Sequence, residues 1–265
     1  MKPTLLSIIV LTLCSWSFGA VPPPDAGSKA VLEKSPRHGE WVDITVPGAK
    51  APLHSFVVYP EIKEKAPVVL VIYDIFGMSD WARAVADSLA ADGFIAICPD
   101  FLSAKGAGNS GGPDAARGQV GQLQVTEVAT DLNAAREYGL KLPAANGKSA
   151  VIGFCWGGGQ SFSYAAAQPG LNAAVVYYGT PVKPDAMAKI NCPILGCYGE
   201  NDARITSTVT DVTKQMKDLG KSYTPHVYTG AGHGFLKSQA NSPANAKAAQ
   251  DAWPTTIAFL KESTK

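Results

Sequence analysis

Net charge is what this chain has least of. Its 23 lysines and arginines nearly cancel its 22 aspartates and glutamates, leaving +1 over 265 residues. That balance gives no electrostatic ground for nucleic acid or an anionic membrane surface as a partner. Any pull on an anionic substrate must come from a local site. Charged residues make up only 17% while hydrophobic ones reach 46%, which excludes wholesale disorder and allows a sizeable core. No internal repeat is visible. The leading apolar run, Leu5 to Leu13, is too short to span a bilayer.

That run belongs to a separate unit. Lys2 gives a positive start, and small residues around Ser17-Phe18-Gly19-Ala20 suit signal-peptidase cleavage after Gly19 or Ala20. Residues 1–20 are expected to be a secretory signal peptide, and the mature protein to be exported, periplasmic or secreted, with no membrane association. Residues 21–40 read as a linker and approach segment, because Pro22, Pro23 and Pro24 favour extended chain. Residues 41–265 read as one domain.

Cysteine is scarce as well. Cys98, Cys155, Cys192 and Cys197 remain after cleavage, and an even count in an oxidising compartment invites disulfides. Cys192 and Cys197 flank one apolar stretch, however. As a strand it would hold them ~16 Å apart, beyond disulfide reach. Cys98 sits in a buried-strand pattern. No essential disulfide is expected.

What is present is an alternation of strand and helix. Trp41 to Val46 and His54 to Tyr59 alternate apolar and polar residues, as antiparallel edge strands do. Pro67 to Tyr73 is continuously apolar, the pattern of a strand covered on both faces. Further strands are predicted over Phe94 to Cys98, Ser149 to Gly153, Ala173 to Tyr178, Ile194 to Tyr198 and Tyr223 to Tyr228. Helices are predicted over Trp81 to Ala91, Leu123 to Tyr138, Gly157 to Ala167, Thr208 to Leu219 and Pro243 to Leu260, with Pro254 bending or breaking the last. The fold class is therefore α/β, a mostly parallel sheet with helices on both faces. Ser103 to Gly121, rich in Gly, Ser and Ala, reads as a long irregular loop, either a lid or a solvated excursion.

The strongest chemical signal is Gly153-Phe154-Cys155-Trp156-Gly157 between a strand and a helix. This is the nucleophile elbow, G-x-nucleophile-x-G, in its proper context. The sharp turn holds its tip in strained φ/ψ, and the flanking glycines let neighbouring backbone come close. The unsatisfied N–H groups of the following helix favour thiolate over thiol, and that of Trp156 points where a tetrahedral oxyanion would form. In such folds the triad runs nucleophile, acid, histidine. His233 lies in the glycine-rich run Gly230 to Phe235, whereas His38, His54 and His226 have no loop position facing the cleft. The acid is expected in Gly199-Glu200-Asn201-Asp202, with Asp202 preferred and Glu200 second.

With these residues placed, the chain resembles the dienelactone hydrolase (carboxymethylenebutenolidase) family of α/β-hydrolases from about Ala66 to Leu260. The markers are Asp74-Ile75-Phe76-Gly77, Cys98-Pro99-Asp100, the Cys155 elbow, Tyr177-Tyr178-Gly179, Gly199 to Asp202 and Gly232 to Phe235. The resemblance implies a Cys155-His233-Asp202 triad, no metal or organic cofactor, and an oxyanion hole from the Ile75 and Trp156 N–H groups. It also implies a carboxylate that takes the thiol proton when substrate arrives. The family usually has glutamate there; this chain has Asp74. Dienelactone-hydrolysing members hold the substrate carboxylate with arginines, where this chain offers Lys237 and, in the irregular segment, Arg117. Tyr178 matches a family tyrosine lining the substrate pocket.

The reading that results is a monomeric hydrolase of a small ester or lactone. A general carboxylesterase or thioesterase of the same fold is the near alternative. A catalytically silent small-molecule-binding domain and redox signalling through Cys155 are the distant ones.

Overall fold

A computed structural model of the chain describes residues 20–106 and 112–265. The expected signal segment lies outside them, apart from Ala20. Eight strands form one sheet: β1 Gly39–Ile44, β2 Leu53–Val58, β3 Ala66–Ile72, β4 Ile95–Pro99, β5 Ala145–Phe154, β6 Ala173–Tyr177, β7 Ile194–Gly199 and β8 Tyr223–Tyr228. Around it lie α1 Ser28–Glu33, α2 Asp80–Ala91, α3 Gly112–Val120, α4 Val125–Lys141, α5 Trp156–Ala167, α6 Pro184–Met187, α7 Ala203–Thr206, α8 Val209–Asp218 and α9 Pro243–Ser263.

The sheet order is β1-β2-β4-β3-β5-β6-β7-β8. β1 and β2 pair antiparallel, β2 meets β4 antiparallel, and every later pairing is parallel. The unbroken apolar runs sit where both faces are covered: Val68 to Ile72 of β3 and Ala173 to Tyr177 of β6 are all 0% exposed. This is the α/β-hydrolase fold.

The order also locates a crevice. The chain steps one way from β3 to β4 and returns past β3 to β5 before continuing to β8. Right-handed crossovers put α2 on one face and α4, α5 and α8 on the other. The direction reverses between β3 and β5, so a cleft opens at their carboxyl ends. Asp74 follows β3 there, and Cys155 follows β5.

Three expectations need correction. Residues 21–40 are no free linker. Pro24 is extended, a 3-10 turn and α1 follow, and β1 already starts at Gly39. The segment is pinned because Trp81 Nε1 donates to Pro23 O and Gln239 Nε2 to Pro22 O, while Ser35 and Arg37 bond Asp87 of α2. Ser103 to Gly121 is not irregular throughout. It contains a 3-10 turn at Ser103–Lys105 and then α3. Ala116 and Val120, four apart, bury one face of α3, and a proline near a helix start is no obstacle. Finally, of the bend or break expected at Pro254 the break does not occur, since α9 continues through it from Pro243 to Ser263. Trp253, Ile257 and Leu260, each 0% exposed, hold it to the core across the missing hydrogen bond.

Candidate active site

The elbow forms because nothing but glycine fits around it. A Cβ on Gly153 would lie 1.9 Å from Gly157 O, and one on Gly157 would lie 2.3 Å from the carbonyls of Ile72 and Tyr73. Strand β5, helix α5 and the end of β3 are thereby drawn into contact. Between the glycines Cys155 takes φ 57° and ψ −114°, a conformation a non-glycine residue adopts only under constraint. Its N–H donates to Tyr177 O at 3.1 Å, and its carbonyl accepts from Gly159 N to start α5. Trp156, the first residue of α5, has no acceptor within the helix for its own N–H.

Cys155 is half-buried, whereas the free cysteines Cys98, Cys192 and Cys197 are buried. Burial pushes the Cys192 thiol up to about 11 and the Cys197 thiol up to about 12, and holds Cys98 higher still. Those three are packing residues, inert as nucleophiles.

The histidine and the acid are held by loops that grip one another. Gly199 ends β7 under the loop before His233, where a Cβ would sit 2.5 Å from Ala231 O. Asn201 N donates to Ala231 O at 2.8 Å, and Asn201 Nδ2 to Gly230 O at 3.0 Å. Glu200 is spent on the same clasp, its Oε2 accepting from Gly230 N at 2.8 Å. Asp202 Oδ2 lies 2.5 Å from His233 Nδ1. That carboxylate is nearly buried, while the imidazole keeps 33% of its surface exposed. The imidazole is held above its ordinary value first by its hydrogen bond with the Cys155 thiol and then by Asp202, with burial opposing both. The imidazole is thus fixed by the carboxylate on one side and raised by the thiol on the other.

The remaining expected residues divide. Ile75 follows directly on Asp74 in the turn after β3, where Phe76 N donates to Asp74 Oδ1 at 2.9 Å. The other Asp74 oxygen, Oδ2, accepts from Lys237 Nζ at 2.8 Å. Thus Asp74 and Lys237 do come together, but each occupies the other. Lys237 Nζ also lies 3.6 Å from Asp25 and over the rings of Phe76 and Trp81. Tyr178 is 2% exposed and has φ 40°. Its ring centroid is 5.1 Å from that of His233. Burial, then the charges of Asp74 and Cys155, hold its phenol well above the ordinary range. Arg117 is an exposed residue in the last turn of α3, the end that packs by Ile75.

Two contributors escaped the sequence reading. Asn245 of α9 accepts from Gly232 N at 2.9 Å and so orients the peptide before His233. Asp25 meets Lys237 from the N-terminal segment. Neither carries a local signal, because Asn245 reaches back from a separate helix and Asp25 pairs across most of the chain.

Residues 53–264 match the profile of the dienelactone hydrolase family. The chain belongs to that family. An Escherichia coli K12 protein provisionally named carboxymethylenebutenolidase is 30% identical over 209 residues, covering 74% of this chain and 77% of its own. A Bradyrhizobium protein provisionally named 2-oxo-3-(5-oxofuran-2-ylidene)propanoate lactonase is 30% identical over 237 residues, covering 84% and 93%. Among solved structures, one from Klebsiella pneumoniae, provisionally a dienelactone hydrolase, superposes with a TM-score of 0.74 at 25% identity, covering 84% of this chain and 97% of that one. This dienelactone hydrolase homologue is a hydrolase of the family type, and among the described residues no helix is long and apolar enough to cross a membrane.

Proposed function

We propose that the protein hydrolyses small esters or lactones with the Cys155 thiol as nucleophile. The observation that carries this is the strained tip residue Cys155 at the elbow, with a histidine on the neighbouring loop whose Nδ1 is held by Asp202 and whose pKa is raised by the thiol. His233 takes the thiol proton and the sulfur adds to the carbonyl carbon. The carbonyl π pair moves onto oxygen, which accepts from the Trp156 and Ile75 N–H groups. Collapse of this adduct expels the alkoxide, which takes the proton from His233, and leaves a thioester on Cys155. Water, giving its proton to His233, then hydrolyses the thioester and the thiol is restored.

Asp74 enters this scheme as a partner of Lys237. Passing the thiol proton to it would require breaking their 2.8 Å ion pair, so His233 is the base in the resting protein. Replacing Cys155 with Ala is expected to abolish hydrolysis of p-nitrophenyl acetate, and the wild type to show an acyl adduct on the Cys155 peptide by mass spectrometry. Undiminished turnover by the variant would overturn the assignment. We also infer that residues 1–20 direct export. N-terminal sequencing of the exported protein is expected to begin at Ala20 or Val21.

A further inference from the structure

Asp25 lies outside the family-matched residues 53–264, yet it reaches the cleft. Its N–H donates to Lys237 O at 3.1 Å, and its carboxylate is 3.6 Å from Lys237 Nζ. The segment carrying it is anchored on both cleft walls. Pro23 O accepts from Trp81, which follows the Asp74 loop, and Pro22 O accepts from Gln239, which follows the His233 loop. Pro22 itself is buried. Seated there, the segment completes a cluster of two carboxylates around one ammonium. Lys237 is 16% exposed, Asp74 8% and Asp25 59%. Two carboxylates against one ammonium leave a net negative charge at the Asp74 loop, which follows β3 just as the Cys155 elbow follows the adjacent β5.

We propose that the N-terminal segment is a wall of the active site, and that Asp25, by sharing Lys237 with Asp74, makes the cleft select uncharged substrates over those carrying a carboxylate. Lys237 then serves as the keystone of the wall and does not receive the substrate anion. Asp25 is a specificity-determining residue acting through Lys237 and through its own charge. The inference rests on Cys155 marking the reaction centre.

Alkylation of Cys155 tests it without requiring turnover. Iodoacetamide and iodoacetate attach to the thiolate by the same displacement of iodide and differ chiefly in charge. The rate ratio at the Cys155 peptide is read by mass spectrometry at low salt. Asp25→Asn is expected to shift the ratio toward iodoacetate by about two- to threefold, the scale of removing one water-screened unit charge within about 10 Å. Asp25→Glu should restore the wild-type ratio, and molar salt should erase the difference between wild type and Asp25→Asn. A parallel comparison of p-nitrophenyl acetate with the mono-p-nitrophenyl ester of succinic acid should show the same shift, mainly in KM. An unchanged alkylation ratio in Asp25→Asn overturns the proposal, and so does a shift that Asp25→Glu fails to reverse. If the ratio shifts while neither ester is hydrolysed by the wild type, the cleft wall stands and the proposed hydrolysis falls.

Discussion

Replacing Lys237 with Met should cost stability well beyond the loss of a surface contact. The ammonium is 16% exposed and its partner Asp74 only 8%, at 2.8 Å. Removing one member of such a pair strands the other charge away from water, which costs about 3–5 kcal/mol in fully buried cases. Asp74 keeps the Phe76 N–H at Oδ1, and Lys237 shares itself with the exposed Asp25, so the lower end, about 3 kcal/mol, is expected. For a domain of this size that is a fall of about 6–12 °C in Tm. The second arm is Asp74→Asn with Lys237→Met. The asparagine can still accept from Phe76 and leaves no stranded charge, so the double variant should recover most of the loss. Scanning calorimetry and urea unfolding of the four proteins in the cycle give the coupling term directly. A Lys237→Met variant within about 1 kcal/mol of wild type, or a double variant whose loss is the sum of the two singles, would refute the claim that the pair is desolvated and mutually dependent.

Asp202→Asn keeps the shape of the acid but not its charge, so kcat should fall about 10³–10⁴-fold with KM little changed, whereas Glu200→Gln should keep near-wild-type kcat; steady-state ester kinetics separates the two. The raised His233 value, set by Cys155 and Asp202, bears on pH in two ways. Because the neutral imidazole is the base, kcat/KM should rise along an acid limb centred above the ordinary histidine value, measured with a pH-insensitive ester. Because the folded-state value is raised, this group's stabilisation is full below the unfolded value of about 6.5 and is lost as pH climbs through the folded one. Wild-type Tm should therefore drop relative to His233→Gln over that window.

Much of this architecture is legible in the chain. The continuous apolar texture of Pro67 to Tyr73 and Ala173 to Tyr178 announces strands covered on both faces, and the alternation at Trp41 to Val46 announces an edge. The elbow is legible because its glycines answer to steric needs that are local in sequence. The two misread stretches failed for a shared reason. Gly, Pro and Ala composition in 21–40 and 103–121 reports what a segment does when free, whereas Trp81, Gln239 and the core facing Ala116 and Val120 decide what it does here. The occupation of Lys237 by Asp74 and Asp25 was hidden likewise, because a pairing across 163 residues leaves no trace in spacing.

The clasp between the Glu200–Asp202 turn and residues 228–232 has a mechanical consequence. Acid and base are tied to each other more directly than either is tied to the nucleophile. They ride together on the ends of β7 and β8, while Cys155 rides on β5, with the wholly buried β6 between. A thermal displacement of the loop pair moves carboxylate and imidazole as one piece and preserves their 2.5 Å contact. The distance from imidazole to sulfur, by contrast, changes whenever this loop pair shifts relative to the end of β5, because the clasp does not extend to Cys155. The pair formed by acid and base is thus the rigid half of the triad, and its approach to sulfur is the adjustable half.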